Sequence, residues 1–97
     1  MQHYKMYING SWCDAASGAS YDAINPATAK PFGTVSKGSR EDAKRAVAAA
    51  NEAQREWKRV PLWERSAMCT KVADILARRK AELADILCTE LGQAPPW

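Results

Sequence analysis

Several common sources of activity are missing from this sequence. It holds one histidine and three cysteines, and no pair of cysteines has a CxxC spacing. A zinc site is therefore not expected. No GxGxxG or GxxxxGK[ST] stretch is present, so the chain carries no recognisable phosphate cradle. No run approaches the roughly 18 apolar residues that a membrane-crossing helix needs, so no membrane partner is expected. The N-terminus lacks the apolar core of a secretory signal. Net charge is only +3, and the cations are spread along the chain instead of gathered on one stretch. That pattern argues against nucleic acid as a partner. The three cysteines, Cys13, Cys69 and Cys88, cannot all pair within one chain. They are read as reduced thiols in a cytoplasmic protein.

What remains is a chain of 97 residues, 46% of them apolar. That composition fits a folded protein, and the length allows one small domain with a limited core. The reading is α+β: hairpins and strands over residues 1–37, amphipathic helices over 38–92, and a non-helical tail over 93–97. Residues 1–6 are polar and read as a loose lead-in. Tyr7-Ile8-Asn9-Gly10-Ser11-Trp12 is a hairpin signal, because Asn-Gly tolerates the positive φ of a tight type I′ turn. Tyr21–Asn25 reads as a strand that stops at Pro26, which cannot donate to a ladder. A short strand follows over Phe32–Ser36. Gly33 within it marks a weak point or a close backbone approach.

Ser39 is expected to start a helix, with Asp42 three residues on completing a capping box. Ala43, Ala46, Val47, Ala50 and Trp57 fall on one face, thin enough for another element to approach closely. Glu41 and Arg45 form an i,i+4 pair. Val60-Pro61 ends this helix. The next apolar stripe, Met68, Cys69, Val72, Ala73 and Leu76, continues in nearly the same phase through Leu83, Ala84, Leu87 and Leu91. The pattern alone permits one long helix or two with a break at Arg78-Arg79-Lys80. Gly92 is a helix stop.

The candidate chemical groups have plain structural readings. Cys69 and Cys88 sit among apolar helix positions, where burial opposes the thiolate that a nucleophile needs. His3 lies in the loose lead-in and is a poor general base. Glu64, Arg65, Glu82 and Asp85 read as surface charge. Trp57 and Trp63 read as anchors between helices or as surface awaiting a partner.

In order and spacing, the Tyr7–Trp12 hairpin, the Ser17-Gly18 loop, the Ile24-Asn25-Pro26-Ala27-Thr28 turn, the alanine-rich helix ending near Trp57 and the Glu64-Arg65 helix start form a recognisable series. It resembles the N-terminal part of the aldehyde dehydrogenase superfamily, from Tyr7 to about Gln93. Family members often carry Gly where Ala29 stands and Gly-Lys where Gly92-Gln93 stands. The resemblance implies the opening part of an α/β cofactor-binding domain, hence a single partial domain over 1–97. Its partner would be the remainder of the dehydrogenase chain, in an enzyme that forms a homo-oligomer. That enzyme would oxidise an aldehyde to a carboxylic acid with NAD or NADP through a thiohemiacetal on its cysteine. The resemblance places the catalytic and nicotinamide-binding residues beyond this stretch. These residues alone are therefore expected to be inactive and to bind no nicotinamide tightly. It also implies a monovalent cation site using the backbone carbonyls of Ala23 and Ile24 and the carboxylate of Glu90, with hard oxygen ligands suiting such an ion. A reading of another class is a stand-alone interaction module derived from that enzyme's start, with the thin alanine face and the tryptophans as its interface.

Overall fold

A computed structural model describes residues 1–92; the expected tail over 93–97 lies outside the described residues. The chain order is β1 (Gln2–Tyr4), β2 (Met6–Ile8), β3 (Ser11–Cys13), β4 (Ser20–Asn25), β5 (Lys30–Ser36), α1 (Arg40–Trp57), α2 (Leu62–Arg78) and α3 (Lys80–Leu91). The α+β reading holds: five strands are followed by three helices among the described residues.

Asn9 (φ 52°) and Gly10 (φ 78°) make the expected turn between β2 and β3. Tyr7 faces Trp12 across it, with ring centroids 4.8 Å apart, a favourable cross-strand aromatic pair. The lead-in is a correction. Gln2–Tyr4 is a strand that pairs in parallel with β5, giving a sheet ordered β1-β5-β4. Three polar-to-aromatic residues carry no strand pattern of their own. Their partner lies some thirty residues further on, so only the fold reveals the pairing. Gly33 is the close approach: an added Cβ there would lie 2.7 Å from Tyr4 Cε2 and 2.8 Å from the Gln2 carbonyl oxygen.

β4 and β5 pair antiparallel, with a register shift between Ala23, opposite Gly33, and Ile24, opposite Pro31. Phe32 is the extra residue. A bulge of this kind accommodates a strand proline and re-aims the side chains beside it. The turn between the strands is local chemistry. Asn25 Oδ1 accepts from the Ala27 N–H at 2.9 Å, and Ala29 adopts φ 58°.

Asp42 organises the start of α1 and is 2% exposed. It accepts the Ser39 N–H at 2.9 Å and the Ser39 hydroxyl at 3.0 Å. It also accepts the Ala16 N–H, at 3.0 Å from Oδ1, tying the loop after β3 to the helix. Arg45 turns to Asp42, at 3.3 Å, in place of the expected Glu41. A buried, anchored carboxylate is the better partner for a guanidinium than an exposed one.

The face of α1 that meets the hairpin is Ala46, Ala49, Ala50 and Ala53. Ala49 and Ala53 were not on the expected face, and Val47, which was, is exposed. Pro61 caps α2, and Arg65 Nε donates to the Val60 carbonyl at 3.1 Å to close the turn. The helix does break at Arg79. That residue ends α2, precedes α3 and holds Glu82 through Nε at 2.9 Å. Gly92 closes α3 at φ 69°, with its N–H on the Cys88 carbonyl at 2.9 Å.

The core is slight. Among the described residues the buried hydrophobic side chains are Ala15 and Ala84, and no large side chain is fully buried. The α2 stripe is present but uncovered: Met68, Val72 and Leu76 are exposed, as is Cys69, whose expected burial is not observed. Leu62 and Trp63 are each 73% exposed. The molecule is a slab of 48 × 39 × 16 Å with a radius of gyration of 17.1 Å. A compact domain of this length has a radius of about 13 Å.

Candidate functional site

A concavity with convergent polar groups lies between the sheet and α3. Tyr4 of β1, Ala23 of β4, and Phe32 and Val35 of β5 form its floor. Asp85, Ile86, Thr89 and Glu90 of α3 form its wall, around ≈ 420 Å³. Strict strand alternation would place Phe32 and Val35 on opposite faces; the bulge at Phe32 brings both to the groove. α3 reaches the sheet because Gly92 has no Cβ. An added Cβ there would lie 2.9 Å from Pro26 Cγ. The Asn-Pro turn and the helix stop, both read from the sequence, therefore meet in space.

Two of the three residues named for a cation, Ala23 and Glu90, line this groove together. Ile24 follows Ala23 at the bulge and is not part of the lining. Its opposite number, Pro31, has no N–H to offer it. Thr89 spends its hydroxyl on the Asp85 carbonyl, at 3.0 Å. Among the described residues no three His, Cys, Asp or Glu side chains gather as metal ligands, and no helix is long and apolar enough to cross a membrane.

The remaining candidates are scattered. Cys13 lies 3.5 Å from Arg45 Nη2 and half-buried, Cys69 is exposed, and all three thiols are free. Glu82 is held below its usual carboxylate range by its hydrogen bond and ion pair with Arg79, a local helix-start contact. Asp42 is likewise held below 3.8. The Ser39 N–H is the main cause; burial opposes it, and the Ala16 N–H, the Ser39 hydroxyl and Arg45 add to it. His3 does not lie in the loose lead-in that the sequence leads one to expect. It sits in β1, bonded to Thr34 and Asp14. Parallel pairing to a distant strand was the missing signal.

The polar side chains the groove brings together are Tyr4, Asp85, Thr89 and Glu90. Comparison with known proteins decides what the fold belongs to. A profile described as "Aldehyde dehydrogenase family" matches residues 12–96. The chain belongs to the aldehyde dehydrogenase family. It is 36% identical over 93 residues to 3,6-anhydro-alpha-L-galactose dehydrogenase of Vibrio sp. (strain EJY3), covering 96% of this chain and 19% of that protein. It is 38% identical over 90 residues to NADP-dependent glyceraldehyde-3-phosphate dehydrogenase of Pisum sativum, covering 93% and 18%. Its fold matches the crystal structure of NAD-dependent aldehyde dehydrogenase from Sinorhizobium meliloti with a TM-score of 0.88 at 38% identity, over 95% of this chain and 19% of that one. The chain thus spans about a fifth of the length of the relatives it matches, and corresponds to an N-terminal segment of them.

Proposed function

We propose that this chain serves as the opening segment of an NAD(P)-dependent aldehyde dehydrogenase, one that oxidises an aldehyde to a carboxylic acid. The observation that carries this reading is a whole-chain match to one fifth of dehydrogenases, made by a structure that leaves its own apolar stripes uncovered. The first fact supports the family's reaction. The second supports a segment completed by more protein, which we read as the remainder of the dehydrogenase chain. Nicotinamide supplies the hydride acceptor in such an enzyme. This segment's own groove is apolar-floored with two carboxylates and offers a dinucleotide phosphate no cationic cradle, so its part is to support the sheet and not to hold the cofactor. The free thiols suit a reducing compartment, and we place the protein in the cytoplasm.

Ala23, Ile24 and Glu90 are proposed to hold a monovalent cation, with the two backbone carbonyls and the carboxylate as hard oxygen ligands. Two features support this: Ala23 and Glu90 share one groove, and Pro31 withholds a ladder donor at Ile24. The cation would tie β4 to the end of α3. The interaction-module reading draws on the same exposed tryptophans. It differs in expecting a partner other than a dehydrogenase chain.

The test is titration of the purified chain with NAD and NADP, followed by an aldehyde oxidation assay. No saturable binding and no turnover are expected. Turnover by these residues alone would overturn the reading.

A further inference from the structure

The polar face of the three-stranded sheet carries a hydrogen-bonded line that the dehydrogenase reading leaves unused. Thr34 on β5 and His3 on β1 are register partners. Thr34 Oγ1 lies 2.7 Å from His3 Nδ1, and the other ring nitrogen, Nε2, lies 2.9 Å from Asp14 Oδ1. Ser36 Oγ stands 3.4 Å from the same Nε2. The tautomer follows from the partners. An ionised carboxylate only accepts, so the proton of the neutral imidazole sits on Nε2, toward Asp14. Nδ1 keeps its lone pair, and the Thr34 hydroxyl donates to it. A hydroxyl on one ring nitrogen with an orienting carboxylate on the other is the arrangement that activates an oxygen nucleophile.

We propose that Thr34 is an acyl-accepting hydroxyl, modified by activated acyl donors of the acyl phosphate and reactive ester class, with His3 as its base and Asp14 as the residue positioning His3. Thr34 Oγ1 attacks the acyl carbon while its proton passes to Nδ1. The bond from the acyl carbon to the leaving group breaks, and the leaving group departs with the electron pair and takes the proton from the imidazole. The product is a threonine ester, and nothing is oxidised or reduced. Thr34 is half-buried, and the exposed member of the line is the imidazole. His3 is 35% exposed in its side chain and lines a cleft of ≈ 370 Å³ with Gln2, Tyr4, Lys5 and Trp12. Lys5 also lines that cleft, and its positive charge favours an anionic donor.

The experiment incubates the purified chain with acetyl phosphate and, separately, with p-nitrophenyl acetate, and maps acetyl groups by peptide mass spectrometry. Acetylation of Thr34 is expected with both donors. The His3→Gln variant should slow it by about 100-fold, the lower end of what a positioned base supplies. Thr34→Ser should retain the mark and Thr34→Val should lose it. Asp14→Asn keeps the imidazole in place and is expected to slow acylation, with Asp14→Glu restoring it. Asp14→Asn thus decides the matter if His3→Gln detaches β1. A Thr34 left unmodified while lysines and the N-terminus are acetylated would overturn the proposal. So would a Thr34 acetylated equally fast in His3→Gln and Asp14→Asn.

Discussion

At the scale of single residues, the backbone of Ala29 is the clearest strain. Its φ of 58° lies in the left-handed region, where a Cβ crowds the following carbonyl. The resemblance leads us to expect glycine at this position, and a positive φ is the conformation that glycine adopts without strain. Ala29→Gly should raise stability by about 0.5–1 kcal/mol, read from chemical denaturation. Asp42 is the second residue-scale case, and its effect is electrostatic. Its carboxyl titrates below its ordinary value of 3.8 in the folded chain, chiefly because the Ser39 N–H donates to it. A depressed folded value contributes stability above the unfolded value, and that contribution is lost as pH falls through the folded one. The melting temperature should therefore drop on acidification below about pH 4. Asp42→Asn should lower it at neutral pH and flatten that acid limb. An unchanged acid limb in Asp42→Asn would place the loss elsewhere.

Among the elements, β1 and α3 depend on glycines that permit close approach. A Cβ on Gly33 would press on Tyr4 and the Gln2 carbonyl, so Gly33→Ala should peel β1 from β5 at a cost of about 1–3 kcal/mol. Hydrogen exchange at Gln2–Tyr4 should then rise while the β2–β3 hairpin stays protected. These elements also show how much could be read from the sequence. The Asn9-Gly10 turn, the Ser39–Asp42 helix start and the Gly92 stop were legible because each is decided within a few residues. β1 was not legible, because polar Gln2 and His3 become a strand only against β5. The break at Arg79 was left open by a periodicity that runs through it. The Glu41–Arg45 pair failed because spacing cannot show that Asp42 is the more deeply anchored carboxylate. For the groove, the sequence offered Ala23, Ile24 and Glu90 through resemblance alone. The wall of Ile86 and Thr89 depends on how α3 docks, and no local pattern reports that.

At the scale of the whole molecule, the dominant fact is apolar surface without cover. Leu62, Trp63, Met68, Val72 and Leu76 line α2, and none is buried. Leu62, Met68, Val72 and Leu76 fall on one side of the helix and Trp63 on the other, and exposed apolar surface of this kind marks an interface. The isolated chain should bind a hydrophobic dye and self-associate as concentration rises. Trp63→Ser should reduce both without lowering the melting temperature, since Trp63 contributes little to the chain's own core. A fall in melting temperature would show that Trp63 supports this chain's packing after all. The same logic explains why helix periodicity was readable while burial was not: an amphipathic stripe records where contact is intended, whichever protein supplies it.

The most direct measurement of the central claim is a graft. The matching first fifth of the Sinorhizobium meliloti NAD-dependent aldehyde dehydrogenase is replaced by this chain, and NAD-dependent aldehyde oxidation is assayed beside a cooperative-melting test of the isolated chain. The account predicts a folded, active graft and an isolated chain that melts broadly or aggregates. An inactive, misfolded graft together with an isolated chain that melts cooperatively as a monomer would contradict it.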